Sequence, residues 1–336
     1  ELVMGIYLNP SDEMFRKAVS SEIYVDKTML IKYTNKWIGT KDGYLAVSRP
    51  RRFGKTTALD MLCAYYGRAC GNRDLFALFQ IASDNSFAKH LGKYQIVQMN
   101  MRDVVSRDSR WDQMQEKLTK RLAYEIRSEF PKINLFDETD LVAMLEDVYA
   151  QVGIPFVFLI DEWDAIFRVH TVKDDTEEQT KYLEFLRALL KDKAYVALAY
   201  MTGILPIKKY GEHSALNMFT EYSMTNQREL AECTGFTEEE VYRLCVQYDM
   251  PYDEMKQWYD GYRLKDISVY NPRSVVMSVT GHDFDNYWTK TENYEALKRY
   301  IDMNMDGLRD KVIRMIAAEH IPVNTLKFVN DMTTFH

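Results

Sequence analysis

Cysteine is scarce: Cys63, Cys70, Cys233 and Cys245 are the only four in 336 residues, and no two form a C-x-x-C pair. So few thiols exclude a disulfide framework, and their spacing offers no zinc site, so free buried thiols in a reducing cytosol are expected. Glycine (14) and proline (8) are too few for a collagen-like or low-complexity chain. Long apolar runs are missing as well. The longest, Phe156 to Ile160 and Tyr195 to Met201, fall far short of the ~20 residues that span a bilayer. The N-terminus lacks the basic stretch followed by an apolar one that marks a secretory signal. There is no excess of positive charge: 43 Lys+Arg stand against 50 Asp+Glu, a net charge of −7. Such a chain has no global field for a phosphate backbone, so contact with nucleic acid is expected to be indirect at most. The six histidines are scattered without metal-ligand spacing. What remains is a folded composition, 46% hydrophobic and 28% charged, with a length matching about two domains at ~150 residues each.

The hydrophobic pattern alternates between strand and helix. Tyr44 to Ser48 reads as a buried strand, followed by a helix over Thr56 to Tyr66. Tyr94 to Met101 is a second strand. Trp111, Met114, Leu118, Leu122, Ile126 and Phe130 then recur at helical spacing, as do Leu141, Met144, Leu145 and Val148. Phe156-Val157-Phe158-Leu159-Ile160, apolar throughout, reads as a strand covered on both faces. Thr176-Glu177-Glu178-Gln179 opens another helix with a capping-box signature, and Tyr195 to Met201 is the next strand. This alternation predicts an α/β sandwich with a mostly parallel sheet, whose functional loops lie at the carboxyl ends of the strands. Beyond about Gln227 the strand-like runs thin out and Thr237-Glu238-Glu239-Glu240 caps a helix. We therefore expect one domain over 1–226 and a smaller, mainly helical one over 227–336, with Trp258 and Tyr262 as its packing residues.

Directly after the first strand stand Arg49-Pro50-Arg51-Arg52-Phe53-Gly54-Lys55-Thr56-Thr57. A strand-loop-helix turn aims backbone N–H groups and the positive end of a helix at an anion. Gly54-Lys55-Thr56 adds a point charge for outer phosphates and a hydroxyl for Mg²⁺. Arg51, Arg52, Phe53, Gly54, Lys55, Thr56 and Thr57 are the expected nucleotide-binding segment. Arg49 occupies the place of the first glycine of the G-x-x-x-x-G-K-[ST] pattern. Arg51 and Arg52 either neutralise phosphate or face acidic neighbours in solvent.

The apolar strand at Phe156 ends in Asp161-Glu162. Asp161 is suited to the water shell of Mg²⁺, with Thr56 as the other metal residue. Glu162 is suited to polarise an attacking water, the arrangement of loop ATPases that carry an adjacent glutamate. Thr202, at the end of the strand from Tyr195, is either a polar sensor of the terminal phosphate or a turn residue. The expected catalytic set is thus Glu162, Lys55 and Thr202, with ATP or ADP and Mg²⁺ as ligands.

Ile23-Tyr24-Val25-Asp26-Lys27-Thr28, Ser48 to Thr56 and Leu159-Ile160-Asp161-Glu162-Trp163-Asp164 resemble the signatures of the predicted AAA-ATPase-like family of bacteria. Thr202-Gly203-Ile204, Phe219 to Tyr222, Trp258 to Tyr262 and Tyr270-Asn271-Pro272-Arg273-Ser274 extend the resemblance over nearly the whole chain. It implies a P-loop NTPase fold, ATP turnover in the cytoplasm, and a larger protein in which the ATPase portion controls a C-terminal effector or partner. Family members often continue into a PD-(D/E)xK nuclease-like domain. Glu254-Met255-Lys256, the only E-x-K, lies in a helical stretch and reads as a chance match. The resemblance leaves the oligomeric state open. Asp26 and Lys27 carry no derived role: either their segment passes over the nucleotide, or they pair with each other to fix the N-terminal arm.

Overall fold

A computed structural model describes residues 5–71, 73–169, 176–207, 215–224, 226, 228–264, 267–287 and 314. The chain divides into two compact units, residues 1–282 and 283–336. Most of the second unit lies outside the described residues.

Strands β1 (Tyr44–Ser48), β2 (Gln95–Asn100), β3 (Phe156–Asp161), β4 (Val196–Gly203) and β5 (Thr220–Tyr222) form one sheet in the order β2-β3-β4-β1-β5. Every neighbouring pair is parallel. Parallel pairing requires crossovers, and the helices that supply them cover both faces. Leu45, Val47, Val157, Leu159, Leu198 and Tyr200 face the layer containing helices Met29–Trp37 and Lys55–Tyr66. Ala46, Phe158, Ile160, Ala199 and Met201 face the layer of Trp111–Glu129, Leu141–Val152 and Thr176–Leu190. This strict alternation follows from the two-residue period of a strand, and it explains why β3 has no polar residue before Asp161. The expected three-layer α/β sandwich is the observed one.

The chain leaves β1, crosses to β2 at the edge, and returns through β3 to place β4 between β3 and β1. The carboxyl ends of β1, β4 and β3 therefore open side by side into one crevice, the usual ligand position in such sheets. The edge at β2 is covered by the N-terminal segment. Leu8 bridges Val97, and the Asn9 amide N–H donates to the Ile96 carbonyl at 2.9 Å. The buried Glu125 carboxylate accepts the N–H groups of Tyr7 and Leu8 at 3.0 and 2.8 Å. Pairing the edge this way removes a template for aggregation.

After residue 227 the first unit carries β6 (Phe236–Thr237), β7 (Tyr262–Leu264) and β8 (Ile267–Tyr270), an antiparallel sheet in the order β6-β8-β7. The helical reading of this region is correct for Glu238–Gln247, Tyr252–Tyr259 and Pro272–Gly281 and missed the short strands, β6 before the first of them and β7 and β8 between the second and third. The Thr237 capping box forms: its hydroxyl accepts the Glu240 N–H, and Glu240 accepts the Thr237 N–H in return. Trp258 is a correction. It is 52% exposed, while Met255 and Tyr259, one turn apart, make the buried stripe of its helix. The side chain of Tyr262 lies outside the described residues. Cys63, Cys233 and Cys245 are buried and Cys70 half-buried, all as free thiols. Among the described residues no helix is long and apolar enough to cross a membrane.

Leu159 has no exposed surface and sits in mid-sheet. Leu159→Ala is expected to cost about 2–5 kcal/mol, through lost transfer energy and the cavity left behind. Urea denaturation checks this, with the midpoint falling at an unchanged slope.

Candidate functional site

The loop between β1 and helix Lys55–Tyr66 closes through two left-handed residues, Arg52 (φ 65°) and Gly54 (φ 79°). Gly54 immediately precedes the helix, where a side chain would be strained by about 1–2 kcal/mol. The helix thus starts at the crevice with its unpaired N–H groups facing the end of the sheet. Lys55, 8% exposed, folds its amine back onto the carbonyls of Arg49 (3.0 Å) and Pro50 (2.7 Å). Burial pushes its pKa down to about 8, partly offset by the carboxylates of Asp161, Asp164 and Glu162.

Asp161 is the junction of three elements. Its Oδ2 accepts the Thr56 hydroxyl at 2.6 Å, and its Oδ1 accepts the Thr202 hydroxyl at 2.5 Å and the Glu162 N–H at 2.9 Å. With 5% exposure, this carboxylate needs such donors. Thr202 has no exposed surface, so its hydroxyl is turned onto Asp161.

Glu162 follows with φ 48°, a left-handed conformation uncommon outside glycine. Its Oε2 meets Arg168 Nη2 at 2.5 Å. Asp164 has no exposed surface, and its Oδ2 accepts the N–H groups of Ile204 (3.1 Å) and Leu205 (3.0 Å), binding the end of β3 to the segment after β4. Burial raises the pKa of Asp164, against the lowering effect of Arg168. Gly203 is required by this approach: a Cβ there would lie 2.6 Å from Trp163 Nε1 and 2.8 Å from Asp164 Oδ1.

Arg49, in place of a glycine, is 1% exposed and turned away from the crevice. Its Nε donates to the Thr234 hydroxyl (2.8 Å), and one Nη donates to the carbonyls of Ser48 (2.8 Å) and Tyr222 (2.7 Å). Burial pushes its pKa down to about 10. The Phe53 ring is fully buried against Val269, and its carbonyl accepts the Gly235 N–H at 3.2 Å, so this residue can offer a ligand little beyond its backbone. The Arg51 carbonyl accepts Asn271 Nδ2 at 3.2 Å. Arg52 has a buried Nη1 with no hydrogen-bond partner.

Arg52 also lines a cavity of about 310 Å³ beside the loop, together with Gly54, Thr57, Tyr24, Met61 and Arg273. The segment at Tyr24 and Val25 thus lines the cavity beside the loop. The pairing expectation is corrected: Asp26 and Lys27 do not pair. Asp26 accepts the N–H groups of Thr28 and Gln80, both at 2.8 Å, while Lys27 binds Glu240 at 2.6 Å and the Glu232 carbonyl at 2.9 Å. Sequence reasoning missed Arg168, Met61 and Arg273 as neighbours of the site. The Asp164/Arg168 spacing of four residues was the one signal for Arg168.

A hydroxyl and a carboxylate in direct contact are hard oxygen donors of the kind Mg²⁺ takes, with few protein ligands and room for phosphate oxygens. The set at Thr56 and Asp161 fits that ion.

A parallel α/β core with a glycine-lysine-threonine loop facing an acid-ended strand defines a P-loop ATPase fold. The chain belongs to the predicted AAA-ATPase family (AAA-ATPase-like), whose pattern it matches over residues 13–211. An uncharacterized protein from the vnfD 5′ region of Azotobacter chroococcum mcd 1 is 26% identical over 274 residues, 80% of this chain. The chain spans 50% of that relative's length. Among solved structures, the Walker-type ATPase PABY2304 of Pyrococcus abyssi is similar at a TM-score of 0.41 and 14% identity, over 87% of this chain and 75% of that one. Cdc6p from Pyrobaculum aerophilum is similar at a TM-score of 0.30 and 12% identity, over 70% of this chain and 52% of that one.

The buried Lys55 makes stability depend on pH. Unfolded, it keeps its proton up to its ordinary pKa of 10.5; folded, it releases it near 8. Between these values the unfolded state binds more protons, so its contribution to stability rises with pH, and below about 8 it is constant. Urea denaturation at about pH 7.5 and pH 9.5 should show wild type gaining on the order of 1–2 kcal/mol relative to Lys55→Met.

Proposed function

We propose that this chain is a Mg²⁺-dependent ATPase whose nucleotide state controls an attached or partner effector in the cytoplasm. The observation that carries the reading is the 2.6 Å hydrogen bond between the Thr56 hydroxyl and Asp161, which joins loop and acid strand at the start of a helix. Lys55 exchanges its two loop carbonyls for phosphate oxygens, whose negative charge favours the protonated amine. The unpartnered Nη1 of Arg52 supports a phosphate contact from the loop, and the adjoining cavity accepts the nucleoside. Thr56 and Asp161 hold Mg²⁺, which supplies charge neutralisation at the phosphates when bound. Thr202 fixes the Asp161 carboxylate rather than meeting the nucleotide. Glu162, once free of its ion pair, takes the proton of the attacking water on a carboxylate oxygen.

The ion pair that occupies Glu162 favours a second reading, a nucleotide-binding regulatory scaffold that does not hydrolyse. The two readings share binding and differ in turnover. Under the first, a partner or neighbouring subunit completes the site, and turnover in the isolated chain is slow. Control of a nuclease-like effector is the furthest reach of the proposal, and nucleic acid enters only through that effector, given the net charge of −7.

Calorimetry with Mg-ATP tests binding. Lys55→Ala should weaken it roughly 10–100-fold, the worth of a charge-assisted contact. Glu162→Gln should keep binding and lower phosphate release by roughly 10²–10⁴-fold. Unaltered turnover in Glu162→Gln would leave the scaffold reading.

A further inference from the structure

Arg168 stands beside the crevice with only part of its guanidinium engaged. Nη2 is 2.5 Å from Glu162 and 3.5 Å from Asp164, while Nε is buried without a hydrogen-bond partner. A guanidinium with a spare buried donor has capacity for a further acceptor. We infer that Arg168 holds Glu162 in the nucleotide-free chain and transfers to the terminal phosphate of a bound nucleoside triphosphate, so that the presence of that phosphate releases Glu162. The inference rests on the ATPase reading of the site.

Three observations place the guanidinium where such an exchange is feasible. Glu162 directly follows Asp161, whose other neighbours are the loop hydroxyl of Thr56 and the strand-end hydroxyl of Thr202. The positive charge of Arg168 is felt at Lys55, where it opposes the carboxylates of Asp161, Asp164 and Glu162. Of these two cations Arg168 contacts Glu162 and Asp164 directly, while the Lys55 amine rests on the carbonyls of Arg49 and Pro50. Asp164, fixed by the N–H groups of Ile204 and Leu205, holds its Oδ1 3.5 Å from the same Nη2, a stationary second carboxylate beside the guanidinium when Glu162 is exchanged.

The exchange needs no proton transfer, because guanidinium stays charged throughout. A side chain 23% exposed on each side of the pair has room to move without unpacking the core. A diphosphate lacks the group that competes with Glu162, so the pair stays closed with ADP. Arg168 would then act in cis as both the discriminator between triphosphate and diphosphate and the control on the base.

The test measures binding of Mg-ADP and of a non-hydrolysable Mg-ATP analogue by calorimetry to the 336-residue chain, together with phosphate release from Mg-ATP, in wild type, Arg168→Gln and Arg168→Lys. In Arg168→Gln the preference for triphosphate over diphosphate should fall roughly 10-fold or more, with ADP affinity unchanged and phosphate release reduced; Arg168→Lys should keep part of the preference. An unchanged preference overturns the inference, whether turnover stays level or rises, the latter showing a restraint on Glu162 with no phosphate contact. Loss of ADP binding in both variants also overturns it, since Arg168 would then support the fold. Failure of the ATPase reading looks different: wild type binds neither nucleotide, or Glu162→Gln turns over normally while the triphosphate preference still depends on Arg168.

Discussion

The site depends on one buried carboxylate. Asp161 receives a hydroxyl from the helix after the loop, a hydroxyl from β4 and an N–H from its own strand end, and so ties three elements of the crevice together. A carboxylate out of water without those donors would be strongly destabilising, so its burial requires the loop helix and β4 both to be in place. The sheet order makes this geometry available. With β4 between β1 and β3, Thr202 sits beside the acid strand, and the helix after β1 reaches over it. Asp164 and Gly203 serve the same junction from the other side, one by accepting two N–H groups and one by leaving room for Trp163 and Asp164.

The loop itself is braced by large side chains where related loops rely on glycine. Arg49 turns inward to Thr234 and the Tyr222 carbonyl, Phe53 is buried against Val269, and Asn271 holds the Arg51 carbonyl. All four partners come from the chain beyond β4. Loop conformation is therefore coupled to β5, to the antiparallel sheet and to the start of helix Pro272–Gly281, the region that also supplies Arg273 to the cavity wall. A movement of that region would be transmitted to the loop through buried contacts, the kind of packed connection by which a nucleotide state can be read elsewhere.

The charges of the crevice are largely satisfied internally. Lys55 rests on loop carbonyls and Glu162 on Arg168, so both charges already have partners within the crevice. Arg49 Nη2, Arg52 Nη1 and Arg168 Nε are the buried arginine nitrogens left without a hydrogen-bond partner among the described residues.

The order of strands and helices, the buried character of β3 and the candidate residues Lys55, Thr56, Asp161 and Glu162 were legible in the sequence, because two-residue and helical periods and a glycine-lysine-threonine turn are local properties of the chain. The capping box at Thr237 was legible for the same reason. The separate partners of Asp26 and Lys27, the inward turn of Arg49 and the exposure of Trp258 were not. Each depends on which distant segment lies opposite: Gln80 for Asp26, Glu240 for Lys27, Thr234 for Arg49. The short strands β6 to β8 carry too few residues for a period to register. Thr202 shows the division most clearly. Its position at a strand end is local, but whether its hydroxyl faces a ligand or a carboxylate is set by the placement of β4 against β3, which only the tertiary structure decides, because side-chain partners across a parallel sheet are fixed by crossovers tens of residues long.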